Sequence, residues 1–173
     1  MAGIFFSCQE SDPVAELISE ENLPFQTTYN GEYVFTEDTK IRNVLQAGKM
    51  EHFTKDSSYI KITDGLKLEI YNRAEVKEAV LTSKNGWYDQ NANVMSALDS
   101  VVFNNMEGEM MFTEELIWQE DSGLIYSDKP VMIVRIQDTI WGDGMNSNEN
   151  FSNYSIINPR GSIFVEDPEE DEP

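Results

Sequence analysis

A chain of 173 residues, 40% hydrophobic and 11% aromatic, suits one domain with a sizeable core and is too apolar for a disordered protein. Its 12 Lys and Arg residues against 32 Asp and Glu residues give a formal net charge of -20, which repels nucleic acid and argues against a nucleic-acid partner. The single cysteine excludes an internal disulfide framework and a cysteine-rich metal site.

The amino terminus, MAGIFFSC (1–8), places that cysteine directly after a short apolar run and a small serine. This order is typical of the end of a bacterial lipoprotein signal, in which the cysteine receives the lipid. No Lys or Arg precedes the run, and the apolar segment is shorter than a signal needs. Two interpretations stay open: residues 1–8 are the remnant of a longer signal sequence with Cys8 as the lipid-attachment site, or Cys8 is a free thiol in an unstructured terminus.

Two acidic segments flank the rest of the chain. Residues 10–21 hold five acids and no base, and residues 166–173 hold six acids and no base. We therefore expect residues 9–26 to be an acidic linker with at most a short helical turn near Pro13, and residues 166–173 to be a disordered tail.

From Thr27 onward the pattern changes to a period of two, which is typical of half-buried strands. The alternation predicts apolar faces that are formed by Leu68 and Ile70, Val101 and Phe103, Met132, Val134 and Ile136, and Ile163 and Val165. Turn sequences such as TDG (63–65), DSG (121–123) and NPRG (158–161) separate the runs. Many short strands between such turns predict an all-β domain over residues 27–165.

Degenerate repeats also run along the chain. The segments TSKNGW (82–87) and TEELIW (113–118) align, each after one strand and before an aromatic strand. Weaker copies begin at Gly142 and Gln46, which gives a spacing of roughly thirty residues. Strand pairs repeated in this way would stack to share one continuous interior.

The segments TEELIWQEDSGLIYSDKPVMI (113–133), AVLTSKNGWYDQNANVMSALDSVVF (79–103) and FSNYSIINPRGSIFVEDPEED (151–171) resemble the LptC family, and the lipobox-like start followed by NLPFQTTYN (22–30) is similar to its lipoprotein-like members. The resemblance implies a β-jellyroll, which is a folded-over antiparallel sheet of strand-turn-strand repeats with a hydrophobic groove along its length. It implies no enzymatic activity and no cofactor.

The resemblance also implies a role and partners. Such proteins receive lipopolysaccharide from an inner-membrane ABC transporter and pass it to a periplasmic β-jellyroll bridge protein. We therefore expect a periplasmic protein that is anchored to the bacterial inner membrane by a lipid on Cys8 or by a helix encoded upstream of Met1. The lipid-groove lining would be Leu68, Ile70, Val101, Phe103, Met132, Val134, Ile136, Ile163 and Val165.

An alternative stays open, because any β-sandwich has an apolar face as its packed core. The chain would then be an envelope β-sandwich that binds carbohydrate or protein through its loops, with Trp87, Trp118 and Trp141 as exposed platforms.

Catalytic and metal-binding sites have little support in the sequence. His52 is the only histidine, and we interpret it as a surface or edge-strand side chain rather than a catalytic base. The oxygen-rich segment 143–150 does not have a glycine and a final bidentate acid at the spacing of a calcium loop, and we interpret it as a hairpin loop.

Overall fold

The computed structural model describes residues 23–55, 57–148 and 151–162. In this part of the chain thirteen strands form one sheet in which every strand pair is antiparallel. The strands are β1 (Gln26–Glu37), β2 (Lys40–Phe53), β3 (Tyr59–Tyr71), β4 (Lys77–Ser83), β5 (Asn85–Asp89), β6 (Val94–Asn105), β7 (Met110–Gln119), β8 (Leu124–Ser127), β9 (Val131–Val134), β10 (Thr139–Gly142), β11 (Gly144–Asn148), β12 (Tyr154–Ile157) and β13 (Arg160–Ser162). The only helical element among these residues is one 3-10 turn at Glu120–Ser122.

The sheet has two halves, which the long strands β2, β3, β6 and β7 share. In the first half, β4 lies between the later parts of β3 and β6, and β9, β10 and β13 continue from β7. In the second half, β5 lies between the earlier parts of the same two strands, and β8, β11 and β12 continue from β7. The chain therefore changes halves between β4 and β5, β8 and β9, β10 and β11, and β12 and β13.

The halves meet at a line of corners. The corner residues are Gly48, Asp64, Gly65, Lys84, Asp99, Ser100, Asp128 and Asp143, where strands shift register, break or take positive φ angles. A Cβ on Gly48 would lie 2.2 Å from the Asp64 carbonyl oxygen, and one on Gly144 would lie 2.5 Å from the Ser127 carbonyl oxygen. Only glycine allows backbones to approach this closely.

Buried hydroxyls recur at these corners and explain the repeats. Ser83 Oγ donates to the Asn85 carbonyl oxygen at 2.7 Å, Thr113 Oγ1 to that of Glu115 at 3.3 Å, and Ser127 Oγ to that of Lys129 at 3.4 Å. Each hydroxyl satisfies a carbonyl two residues onward, where the ladder of backbone hydrogen bonds is interrupted. The structural equivalent of Thr113 is thus Ser83 and not Thr82, so the sequence alignment of the two repeats is wrong by one residue.

One core joins the two halves. Leu81, Phe103 and Ile133 from the first half pack in the same cluster as Leu116 and Met145 from the second half. The two half-sheets therefore face each other across an apolar interior. The all-β, folded-over antiparallel sheet predicted from the sequence is confirmed.

Several predictions on domain limits fall outside the described residues. They concern the signal remnant 1–8, the tail 166–173 and residues 9–22 of the acidic linker. The last residue of the predicted linker, Gln26, is already the first residue of β1. The short helical turn near Pro13 also lies outside. In the part of the chain that the structure describes, no helix has the length and hydrophobicity needed to cross a membrane.

Candidate functional site: the interior between the sheet halves

A row of cross-strand neighbours runs across the first half on its interior face. The row consists of Tyr33, Leu45, Leu68, Leu81, Phe103, Met111, Ile133 and Ile140, and each residue pairs in register with the next. Because side chains directly opposite each other in antiparallel strands share one face of the sheet, these residues form a continuous apolar stripe from β1 to β10.

The second half presents two rows toward this stripe. The deeper row, next to the corners, contains Thr28, Met50, Ile62, Gly86, Ala97 and Leu116. The outer row contains Gln26, His52, Ile60, Tyr88, Met95, Trp118 and Ile125. The interior is therefore apolar at its base and more polar toward its mouth.

Burial differs between the two ends of this interior. Toward β6–β12, the side chains of Val101, Phe103, Met111 and Ile133 are buried. Toward β1–β3, the stripe residues Tyr33, Leu45 and Leu68 are only half-buried, and β1 ends the order of strands. The interior is packed at β6–β12 and less buried at β1–β3, where Ala47 and Ile62 are buried at its base but the stripe residues are partly exposed; we call this less buried part, around β1–β3, the furrow.

The packed end is held by contacts between the halves. Phe103 stacks on Phe151 with ring centroids 4.0 Å apart. Arg135 Nε lies 3.0 Å from Glu109 Oε1, and its guanidinium donates to the Tyr154 hydroxyl and lies 5.7 Å from the centre of that ring. The hydrogen bond to Tyr154 raises the pKa of Arg135, although partial burial works against this. We call Arg135, Glu109 and Tyr154 the clasp, since they join β7 and the end of β9 to β12.

A small cavity lies beside the clasp. It has a volume of about 30 Å³ and is lined by Phe103, Met111, Ile133, Met145 and Phe151 among others. This space is enough for water but far too small for an acyl chain. An acyl chain at this end must therefore displace side chains, whereas the furrow at β1–β3 is already partly exposed.

Four of the predicted lining residues lie on the interior face. Leu68 and Phe103 are members of the stripe, and Val101 is 1% exposed beside the corner line. Ile70 is half-buried against the same core. Their contact with lipid stays a prediction. The predicted lining residues Ile163 and Val165 and the predicted lipid-attachment site Cys8 lie outside the described residues.

The face predicted for β9 is wrong. Val131 and Ile133, the latter 4% exposed, are the buried residues of this strand. Met132 pairs with Phe112 and Trp141 on the outer face, and Val134 lies on that face as well. Ile136 follows the end of β9 and is 87% exposed. Both faces of β9 carry apolar residues, so alternation alone did not show which one points inward.

The three tryptophans have different environments. Trp87 is 37% exposed and stacks on Tyr59 at 4.2 Å, which in turn stacks on Phe53 at 4.6 Å. Trp141 is also exposed on the outer face, beside Met132. Trp118 lies in the outer row of the interior and packs against the core. Two of the three tryptophans, Trp87 and Trp141, are thus exposed as the alternative function requires, and their role as binding platforms stays a prediction.

The remaining polar candidates form structural contacts. His52 Nε2 lies 2.8 Å from Gln90 Oε1, which also accepts from Ser58. Among the described residues no group of His, Cys, Asp and Glu is arranged to hold a metal. The segment 143–150 was predicted as a hairpin loop, but Gly144–Asn148 forms strand β11. At the end of that strand the Asn148 side chain accepts from the Asn153 backbone N–H.

The strongest ionic cluster lies outside the furrow. Glu69 Oε1 is 2.9 Å from both Lys67 Nζ and Lys77 Nζ, and Tyr71 donates to its other oxygen. Hydrogen bonds from these three groups lower the pKa of Glu69 to about 2. Since Glu69 pairs with Val44 and Val80 on the outer face, these lysines do not line the furrow.

Sequence reasoning missed the clasp and the inward position of Trp118. A signal for Arg135 existed, because it follows Val131 and Ile133 at a spacing of two and so ends the interior face of β9. Its partner Tyr154 comes from the other half of the sheet, which no local pattern indicates.

The chain was compared with models of known protein families. A family model described as "LptC: Lipopolysaccharide-assembly, LptC-related" matches residues 4–158. No curated protein matches the chain.

Proposed function

This chain belongs to the LptC family, whose members take part in lipopolysaccharide transport, and from that premise we propose that it receives lipopolysaccharide from an inner-membrane ABC transporter. It passes the lipid along its interior to a periplasmic β-jellyroll partner. The family is periplasmic and associated with the inner membrane. We propose that the chain binds and transfers this ligand without enzymatic activity.

The apolar stripe from Tyr33 to Ile140 is the observation that supports this proposal. Burial of acyl chains is worth about 0.8 kcal/mol for each methylene group. With a net charge of -20 on the protein, the phosphorylated part of the ligand is repelled. Binding energy therefore comes from the acyl chains in the furrow, while the sugar and phosphate groups stay in water.

The sheet edges provide the contacts to the partners in this proposal. Strand β1 ends one side of the order of strands, and β12 and β13 end the other side in the two halves. Edge strands leave backbone N–H and C=O groups that pair with a strand of another protein. One edge would meet the transporter and the other the bridge protein, so that their interiors continue through this chain.

Site-specific photo-crosslinking tests the proposal in the assembled transporter. A crosslinking residue at Leu68, which is half-buried in the furrow, should capture lipopolysaccharide when the transporter hydrolyses ATP. The same residue at Lys67, the adjacent position on the outer face, is the matched control and should not. Phe103 and the exposed Asn104 form a second such pair near the packed end. Equal capture at both members of each pair would contradict the proposal.

A second function is favoured by the aromatic stack of Phe53, Tyr59 and Trp87, in which Phe53 and Tyr59 are half-buried and Trp87 is exposed. Such a surface would bind a sugar ring or a protein loop, as expected of an envelope β-sandwich. Replacing Trp87 by Ala should abolish binding in that case and leave lipid capture at Leu68 unchanged. Iodide quenching separates the two environments, because Trp87 and Trp141 should be quenched and Trp118 protected.

A further inference from the structure

Three buried side-chain polar atoms lack a hydrogen-bond partner among the described residues: Trp118 Nε1, Arg135 Nε and Asp138 Oδ1. The last two belong to one ionic cluster, since Arg135 lies 3.0 Å from Glu109 and 3.8 Å from Asp138. The indole of Trp118 is outside that cluster, between Met95 and Ile125 on the interior face. Its buried N–H has lost water and gained no acceptor, which is unfavourable and uncommon.

The position of Trp118 along β7 shows how deep in the interior this N–H donor lies. Leu116, in the deeper row, is buried; Trp118 is half-buried; and Glu120, just after the strand, is exposed. Alternate residues of a strand point to the same face, so these positions mark a path from the corner line to the mouth of the interior. Trp118 therefore lies at the boundary between the apolar base and the charged rim.

An acylated glycolipid has the same change in polarity along its length. Its acyl chains are apolar, its sugars are polar, and ester or amide carbonyl oxygens join the two. When the chains reach the packed end, displace side chains there and lie against Leu116 in the deeper row, these carbonyl oxygens come to the level of Trp118. They lose water there and need a donor, while the indole N–H needs an acceptor.

Building on the function proposed above, we propose that the Trp118 indole N–H donates a hydrogen bond to a carbonyl oxygen that links an acyl chain to the sugar. Trp118 is thus a specificity-determining residue. It makes the interior prefer glycolipids with ester- or amide-linked chains over those with ether-linked chains, whose linking oxygen is a weaker acceptor.

Indole N–H resonances of the wild-type protein test this directly. The chain has three tryptophans, and single Trp→Phe variants assign the three signals. Lipopolysaccharide should move the Trp118 signal downfield and slow its hydrogen exchange, whereas an alkyl maltoside of equal chain length, which has no carbonyl, should do neither. Trp87 and Trp141 are internal controls, because both are exposed. Equal shifts of Trp118 with both ligands, or none with either, would overturn the inference.

An isosteric replacement gives the energetic test. Benzothienylalanine at position 118 replaces the N–H by sulfur and keeps the size of the ring system. It should weaken lipopolysaccharide binding about five- to tenfold and leave alkyl maltoside binding unchanged. Unchanged lipopolysaccharide binding would remove the role of the N–H while crosslinking at Leu68 still reports the proposed function. Failure of the wild-type protein to capture lipopolysaccharide at Leu68 would contradict both.

Discussion

Thr113 Oγ1 and Ser127 Oγ lie 3.0 Å apart, and both side chains are buried where the sheet turns over on itself. Each hydroxyl is also close to a carbonyl oxygen two residues further along its own chain segment. Thr113 lies at the corner within β7, and Ser127 is the last residue of β8, just before the break that precedes β9. The pair therefore connects the two halves of the sheet by polar contacts within an apolar interior.

Removing both hydroxyls of this pair should destabilise the protein by less than the sum of the two single changes, because each single change already breaks the contact between them. Thr113→Val keeps the shape of the side chain and leaves buried polar groups unsatisfied, at a cost of about 1–3 kcal/mol. We expect Thr113→Val and Ser127→Ala to show a coupling in a double-mutant cycle that is measured by urea unfolding. Ser122→Ala, at an exposed serine, is the control and should change stability little. Strict additivity of the two buried changes would argue against a direct interaction.

The inward face of β9 can be tested with two neighbouring residues. Ile133→Asp places a carboxylate in the packed core and should abolish folding or cost about 3–5 kcal/mol. Met132→Asp changes the outer face, where the side chain is half-buried, and should cost clearly less. Thermal unfolding of the two variants gives the comparison. A larger loss for Met132→Asp would restore the face that was predicted from sequence alternation.

The strands and their turns could be predicted from the sequence because period-two patterns are local. In β3 and β6 one face is more polar, so alternation also showed that Leu68 and Phe103 point inward. In β9 the outer face contacts Phe112 and Trp141, so both faces of the strand are apolar. None of its four residues is polar, so the sequence does not show which face is exposed. Only pairing with β7, in which Met111 is opposite Ile133, determines which residues are buried.

The environments of Trp87 and Trp118 also could not be predicted from the sequence pattern. Trp87 follows its corner serine, Ser83, by four residues, and Trp118 follows Thr113 by five, so they point to opposite faces. An alignment that matched the tryptophans hid this difference. The clasp depends on residues from β9 and β12, which the sequence alone does not bring together.

Glu69 should make stability depend on acid pH. Its pKa is lowered from 4.5 to about 2 by Lys67, Lys77 and Tyr71, so the folded state holds its charge more strongly than the unfolded state. The resulting stabilisation is complete above the unfolded pKa and is lost as pH falls from 4.5 through about 2. Urea midpoints over this window should fall less steeply for Glu69→Gln than for the wild type. Glu107→Gln, in an exposed turn, should keep the wild-type slope.

Cys8 is proposed to carry the lipid that anchors the protein. Metabolic labelling with a fatty-acid analogue should mark the protein when it is made from its full-length gene. Cys8→Ala should abolish the label and release the protein from the membrane fraction, whereas Ser7→Ala keeps a small residue before the cysteine and should retain both. Persistent labelling of the Cys8→Ala variant would exclude this attachment site.

The clasp should hold the packed end of the interior closed. Arg135 contacts Glu109 and Tyr154 with a side chain that is 33% exposed, so removing its charge leaves a partly buried carboxylate without its partner. Arg135→Gln should cost about 1–3 kcal/mol and speed amide hydrogen exchange in β11 and β12, with little change in β2 and β3.

Arg160→Gln is the matched control for the clasp. Arg160 also forms an ion pair, with Asp143, but its side chain is 65% exposed, and exposed pairs contribute about 0–1 kcal/mol. Because acyl chains cannot enter the packed end without moving Phe151 and Tyr154, a looser clasp should also raise lipopolysaccharide capture at Phe103 relative to Leu68. Equal destabilisation by the two arginine variants, with unchanged capture at Phe103, would show that Arg135 does not hold this end of the interior closed.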